Sequence, residues 1–211
     1  MKSISLALLF TAILIFSGCG SNKVANTTII NTDKTYTSPQ NSKKPNKRLT
    51  QLDTSITQKQ KKEFLTRIND ARSQRRSCGK YGSMGPAEPL AWSDKLYKAA
   101  SLHSYDMAKS RHFSHDGSGS INDRIAADMG LGRGSNLRDR MSYTDYRWRT
   151  VGENIASGQQ STQAVIEAWL RSDEHCKNLM NKQFREVGMA YYQLNGQFQQ
   201  PYWSQNFGRS L

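Results

Sequence analysis

The sequence predicts an α+β domain in which helices precede and then interrupt an antiparallel sheet. Two early segments, Gln58 to Ser73 and Ser93 to Ser110, repeat apolar residues at three-to-four spacing, as amphipathic helices do. Three later segments read as strands: Thr150 to Ala156, Val187 to Leu194 and Pro201 to Arg209. The last two are joined through Asn195-Gly196, a strong hairpin signal. Between the first strand and that hairpin, helical spacing returns at Val165, Ile166, Trp169 and Leu170. Helices in this order imply layered packing against a sheet.

The chain starts outside that domain. Lys2 supplies positive charge, Ile4 to Phe16 form an apolar run too short to span a bilayer comfortably, and the small residues Ser17 and Gly18 precede Cys19. Residues 1–18 resemble a bacterial lipoprotein signal, with Phe16 where leucine is more usual. That resemblance implies lipidation at Cys19, a membrane anchor and an oxidising, extracytoplasmic compartment. The alternative is ordinary secretion, with Cys19 incidental. Gly20 stands where aspartate would mark inner-membrane retention, which points to the outer membrane in an organism that has one.

Residues 19–57 read as a disordered tether, because Ser, Thr, Asn and Lys dominate and too little apolar surface is present to offset chain entropy. Residues 58–211 then fit one domain with a real core. There is no internal repeat, and a monomer is the default.

The formal charge of +13 is spread unevenly. Between Gly20 and Thr50, six basic side chains face Asp33 alone, an excess of +5, and residues 51–211 hold 23 basic and 16 acidic side chains, leaving +7. Much of the bias therefore belongs to the tether. In an exported lipoprotein it suits anionic lipid, lipopolysaccharide or cell-wall polymer, and nucleic acid is not expected. A solvated surface with no dedicated partner is the plain alternative.

Apart from Cys19, the cysteines are Cys78 and Cys176. An even pair in an oxidising compartment reads as one disulfide, closing a loop for which chain entropy sets an upper stabilisation of about 4 to 5 kcal/mol. Such a bridge would fix the backbone that presents His175. Neither cysteine belongs to a CxxC pair, which disfavours metal.

Within the domain, Phe64, Leu65, Ile68 and Ala71 mark the first helix, and Gly79, Gly82, Gly85, Pro86 and Pro89 a loop. Ser93 suits an N-cap for the second helix, whose buried stripe holds Leu96, Ala99, Ala100, His103 and Met107. His103 is thus read as a core histidine with a satisfied hydrogen bond, and His112, at the fraying end, as exposed. A short helix is expected around Ile121 to Met129. The segment Gly130 to Arg149 fits neither helix nor strand and borders a cleft. Its Tyr143, Tyr146, Arg147 and Trp148 either anchor that loop or stack on a sugar or base. A further helical turn is expected after His175.

Three blocks carry the chemistry: Phe113-Ser114-His115-Asp116-Gly117, Gly152-Glu153-Asn154-Ile155-Ala156, and Glu174-His175-Cys176-Lys177-Asn178-Leu179-Met180. Taken in order with Trp92-Ser93, Ala168-Trp169, Phe184-Arg185-Glu186-Val187-Gly188 and Tyr202-Trp203-Ser204-Gln205-Asn206-Phe207-Gly208, they resemble the CAP superfamily of cysteine-rich secretory, antigen 5 and pathogenesis-related 1 proteins, in its bacterial SCP-like form. The resemblance spans about Gln58 to Arg209. It implies an α-β-α sandwich with a central antiparallel sheet and a cleft where two histidines and acidic residues converge. Carried over by motif, His115 and His175 are the paired imidazoles and Glu153 the carboxylate of a site for zinc or another divalent ion. A second carboxylate of many family members falls in a segment this shorter form lacks. Glu174, where glycine is commoner, is a fourth candidate.

Two neutral imidazoles and a carboxylate would leave one zinc position for water, which suits hydrolysis with Glu153 as base. Against this, no HExxH pair is present, and Glu153 could instead orient His115 by hydrogen bonding. A serine mechanism at Ser114 is disfavoured, because neighbours on an extended chain point apart and there is no Gly-x-Ser-x-Gly elbow. Three functions remain open. They are an envelope binding module holding a metal and a lipid, glycan or peptide, a metal-assisted hydrolase of envelope polymer or peptide, and a scaffold stabilised by a buried His/Glu network.

Overall fold

A computed structural model describes residues 23–24, 28–31, 57–195 and 200–211. The leader and Cys19 lie outside the described residues. Among the described residues no helix is long and apolar enough to cross a membrane.

The chain opens with two short strands, β1 (Lys23–Val24) and β2 (Thr28–Asn31). Helix α1 (Gln58–Arg72) follows, started by a capping box between Thr57 and Gln60. Strands β3 (Arg76–Ser77) and β4 (Ser83–Met84) form a small separate ribbon around a 3-10 turn, and β5 (Ala91–Trp92) leads into α2 (Asp94–Ser110), capped by Ser93. Then come α3 (Arg124–Met129), α4 (Leu137–Tyr143), β6 (Trp148–Ser157), α5 (Thr162–Arg171), α6 (Asp173–Leu179), β7 (Glu186–Tyr192) and β8 (Tyr202–Ser210).

The main sheet runs β1-β6-β8-β7-β5, with β2 also on β6, and is antiparallel except where β5 lies parallel to β7. Its two faces carry different cores. Phe64 and Ile68 of α1, Val165 and Trp169 of α5, and Leu179 of α6 pack with Val187, Met189, Trp203 and Phe207. On the opposite face, Leu96 and Ala99 of α2 and Leu137 and Met141 of α4 pack with Val151. This is the predicted α-β-α sandwich, produced by the period-two alternation of β6, β7 and β8. The expected bridge is present between Cys78 and Cys176, tying the ribbon to α6.

Three expectations change. The reading of residues 19–57 as a tether without regular structure fails at Lys23–Val24 and Thr28–Asn31, which pair along β6. Ile29 contributes to one core and Ile30 to the other, so four residues cover an edge that composition averaged over the segment concealed. Residues 130–149 are not wholly irregular, because α4 occupies Leu137–Tyr143 behind an Asn136/Asp139 capping box. Its buried face is Leu137, Arg140 and Met141, and the arginine at a core position broke the apolar pattern. Lastly, β7 and β8 do pair as a hairpin, yet Tyr192 faces Tyr202, so Asn195-Gly196 belongs to a longer connection than a two-residue turn. In the arginine-rich stretch Tyr146 and Trp148 are buried, the loop-anchoring role.

Gly188 lets α2 lie directly on β7, since a Cβ there would collide with the backbone of Leu96 and Tyr97. Gly188→Ala should therefore lower stability by about 1 to 3 kcal/mol, the cost of overpacking against a part that cannot rotate away. Chemical denaturation monitored by tryptophan fluorescence checks this.

Candidate functional site

Alternation along β6 sends Glu153 toward α2 and Asn154 toward α6. Glu153 has no solvent exposure, so its charge must be satisfied from within. Arg140 Nη2 donates to both carboxylate oxygens at 3.0 Å. His115 Nδ1 lies 2.8 Å from Oε1, and Ser204 Oγ donates to Oε2 at 3.3 Å. Assigned by its hydrogen bonds, the Asn206 amide donates to Oε2 at 3.0 Å and accepts from Ala100 N. Burial alone would push the Glu153 pKa up, but Arg140, with help from His103 and His115, brings it down to about 2.

The loop bearing His115 is fixed from several sides. Arg140 also donates to the His115 carbonyl at 2.9 Å and, through Nη1, to the Ser135 carbonyl at 2.7 Å. One guanidinium thus holds both the carboxylate and the histidine backbone that meets it. His103 Nε2 binds the Ser114 carbonyl at 3.1 Å, consistent with the core-histidine reading, and burial followed by the Arg140 charge lowers its pKa to about 3. Further along, Asp106 accepts from Ser118 N and Oγ, and Asp123 from Ser135 N and Oγ. His112 is exposed, as expected.

With the Glu153 carboxylate as acceptor, His115 carries its proton on Nδ1 and offers a lone pair at Nε2. That Nε2 is buried and has no hydrogen-bond partner among the described residues, while the side chain as a whole stays 19% exposed. The ring's orientation and tautomer are thus set from its Nδ1 side.

The other predicted residues sit elsewhere. His175 Nδ1 lies 2.8 Å from Oγ of Ser172, the residue before α6, and its carbonyl accepts from Asn154 in a polar layer with Asn178 and Gln205. Glu174 turns to Lys80 Nζ and Tyr81 Oη, both at 2.6 Å, and so does not join Glu153. Among the described residues, no group of three or more His, Cys, Asp or Glu side chains is arranged to hold a metal ion. The expected set of His115, His175, Glu153 and Glu174 is thus not assembled. The carboxylates are engaged by cations, and each strand neighbour of Glu153 faces the other way. Sequence reasoning missed Arg140, Ser204 and Asn206. Only Arg140 left a trace, as a charge at helical spacing between Leu137 and Met141.

The burial of this ion pair has measurable consequences. Arg140→Met strands the Glu153 charge and should cost about 3 to 5 kcal/mol, whereas Arg140→Met combined with Glu153→Gln should recover part of the loss; urea denaturation of both variants measures it. Acid should destabilise the fold in two overlapping windows. The unfolded chain takes up the His103 proton near pH 6.5 and the folded chain only near 3, so stability falls between them. Glu153, at about 2 folded against 4.5 unfolded, contributes fully above pH 4.5 and loses that contribution as pH falls toward 2. Denaturation midpoints measured from pH 7 to 3 should decline throughout.

The cysteine-rich secretory protein (CAP) family model matches residues 65–207. The Bacillus subtilis protein YkwD is 30% identical over 120 residues, which is 57% of this chain and 39% of that protein, and the B. subtilis membrane protein YlbC is 28% identical over 118 residues, 56% of this chain and 28% of that one. The chain therefore spans well under half the length of these relatives. Among solved structures, an extracellular SCP-domain protein of Bacillus anthracis is similar with TM-score 0.51 and 27% identity, over 74% of this chain and 45% of that one. An outer surface protein of Borrelia burgdorferi shares the fold with TM-score 0.52 and 20% identity, over 74% of this chain and 97% of that one. The chain belongs to the cysteine-rich secretory protein (CAP) family.

Proposed function

We propose that the protein is an extracytoplasmic, lipid-anchored binding module whose ligand meets Nε2 of His115. The carrying observation is that buried Nε2, unpartnered among the described residues, on a ring whose other nitrogen is tied to an arginine-paired carboxylate. Export is supported by the apolar leader before Cys19, by the Cys78–Cys176 bridge and by the extracellular B. anthracis relative. A divalent ion such as zinc fits this donor in one way. Imidazole nitrogen of His115 would be the ligand, and Glu153 would stand behind it, setting the tautomer and raising its basicity. Neither Glu153 nor Glu174 fits as a direct ligand.

Hydrolysis is a second reading, favoured by the same His115–Glu153 dyad. Glu153 cannot be its base, because a carboxylate with a pKa of about 2 and two bonds from Arg140 scarcely accepts a proton. The base would be His115, and the turnover would vanish in His115→Ala.

Calorimetry with zinc chloride on the full chain tests the binding reading. Heat is expected, lost in His115→Ala, kept in Glu174→Gln, and weakened about 10- to 100-fold in Glu153→Gln. Absence of any His115-dependent heat, together with a lower melting temperature in His115→Ala, would overturn it in favour of the scaffold.

A further inference from the structure

One end of the main sheet gathers aromatic rings and cations. Lys23 of β1 pairs with Ser157, Ser157 with Tyr202, and Tyr202 with Tyr192. This row crosses four adjacent strands and spans about 15 Å. The alternation that turns Glu153 toward α2 does the same for Ser157, Tyr202 and Tyr192. Tyr105 of α2 packs edge-on against Tyr192 at 5.1 Å, and Phe113 lies 6.3 Å from Tyr202. Cations cover the rings, with Lys109 at 5.9 Å from both Tyr105 and Tyr192 and Arg124 at 4.7 Å from Tyr105.

Helix α2 runs past this row, and its end holds a protruding loop. Ser110 bonds Ser120 at 3.0 Å and Asn122 at 3.2 Å, and between them Ile121 is 79% exposed, more than any other large exposed hydrophobic side chain among the described residues. Arg111, the residue after Ser110, is exposed in the left-handed region. The neighbouring Asp106 carboxylate is buried and accepts from Ser110 and Ser118, which fixes the end of α2 to the loop. A protruding aliphatic side chain, amphipathic rings and lysine and arginine around them suit the headgroup boundary of a bilayer.

The start of the chain supplies an independent constraint. Only Gly20, Ser21 and Asn22 separate Cys19 from Lys23, and four residue steps reach at most about 14 Å. A lipid on Cys19 would therefore hold this end of the sheet at the membrane. The opposite end of β6, at Trp148, lies about 30 Å along the strand from Ser157.

We propose that the end of the sheet marked by Tyr192, Tyr202 and Ile121 is a docking surface for anionic phospholipid, on which the anchored domain sits in a fixed orientation. This rests on the lipid-anchor reading of Cys19. Pairing of β1 and β2 with β6 converts what would be a long leash into a short one, and the cations at the same end meet the negative headgroups. The loop bearing His115 begins at Phe113, so the candidate site is carried close to the lipid surface.

The test uses the full acylated chain in vesicles of phosphatidylethanolamine and phosphatidylglycerol containing a headgroup-nitroxide lipid. A bimane fluorophore is placed at Ile121→Cys or, in a separate protein, at Arg209→Cys. Quenching is expected at 121 and not at 209, and it should drop at 121 in Lys109→Glu/Arg111→Glu. Equal quenching at both positions in a protein that co-sediments with the vesicles would overturn the docking surface alone. Failure to co-sediment would overturn the anchor reading and the docking surface with it.

Discussion

The Glu153 carboxylate sits in the middle of the sheet with no access to water, and a lone charge there would cost far more than the domain could sustain. Arg140 makes that position tenable: Nη2 donates to both of its oxygens and to the His115 carbonyl, and Nη1 to the Ser135 carbonyl. Helix α4, β6 and the His115 loop are therefore not independent parts that happen to touch. Each is held by the terminal nitrogens of one guanidinium that is itself wholly buried. The orientation of the His115 ring follows from this arrangement.

The sheet separates two polar systems that the sequence places side by side. Glu153 and Asn154 are neighbours, yet the first belongs with Arg140, His115 and Asn206, and the second with Gln205, Asn178 and the His175 backbone. Pleating is the cause, and register carries it into β8, where Asn206 faces Glu153 and Gln205 faces Asn154. A cluster of conspicuous residues within a few positions on a strand thus supports two sites on opposite faces. The Cys78–Cys176 bridge and the contact of Glu174 with Lys80 and Tyr81 belong with the second system, where they fix α6 against the turn after α1.

Residues 23–24 and 28–31 cover the β6 edge. An uncovered ten-residue strand would present a row of unsatisfied backbone groups to other chains. Ile29 and Ile30 anchor the covering segment in both cores, so the same few residues blunt the edge and tie the two faces of the sheet together.

Much of the architecture was legible in the chain itself. Periodicity located α1, α2, α5 and the three long strands, Ser93 announced its helix, and the even cysteine pair announced its bridge, because these signals are local or arise from counting. His103 was readable as a core residue from its stripe, and the dyad of His115 with Glu153 was within reach of the motifs. The role of Arg140 was not readable, since a charged residue in an arginine-rich stretch resembles solvated surface until a buried carboxylate is found opposite it. Nor could sequence order show that Glu174 turns away from Glu153, or that a polar N-terminal stretch contributes strands. Local spacing determines which element forms and which face is apolar. Partners of buried charges and occupants of a sheet edge are chosen by residues tens of positions away, and only the packed chain brings those together.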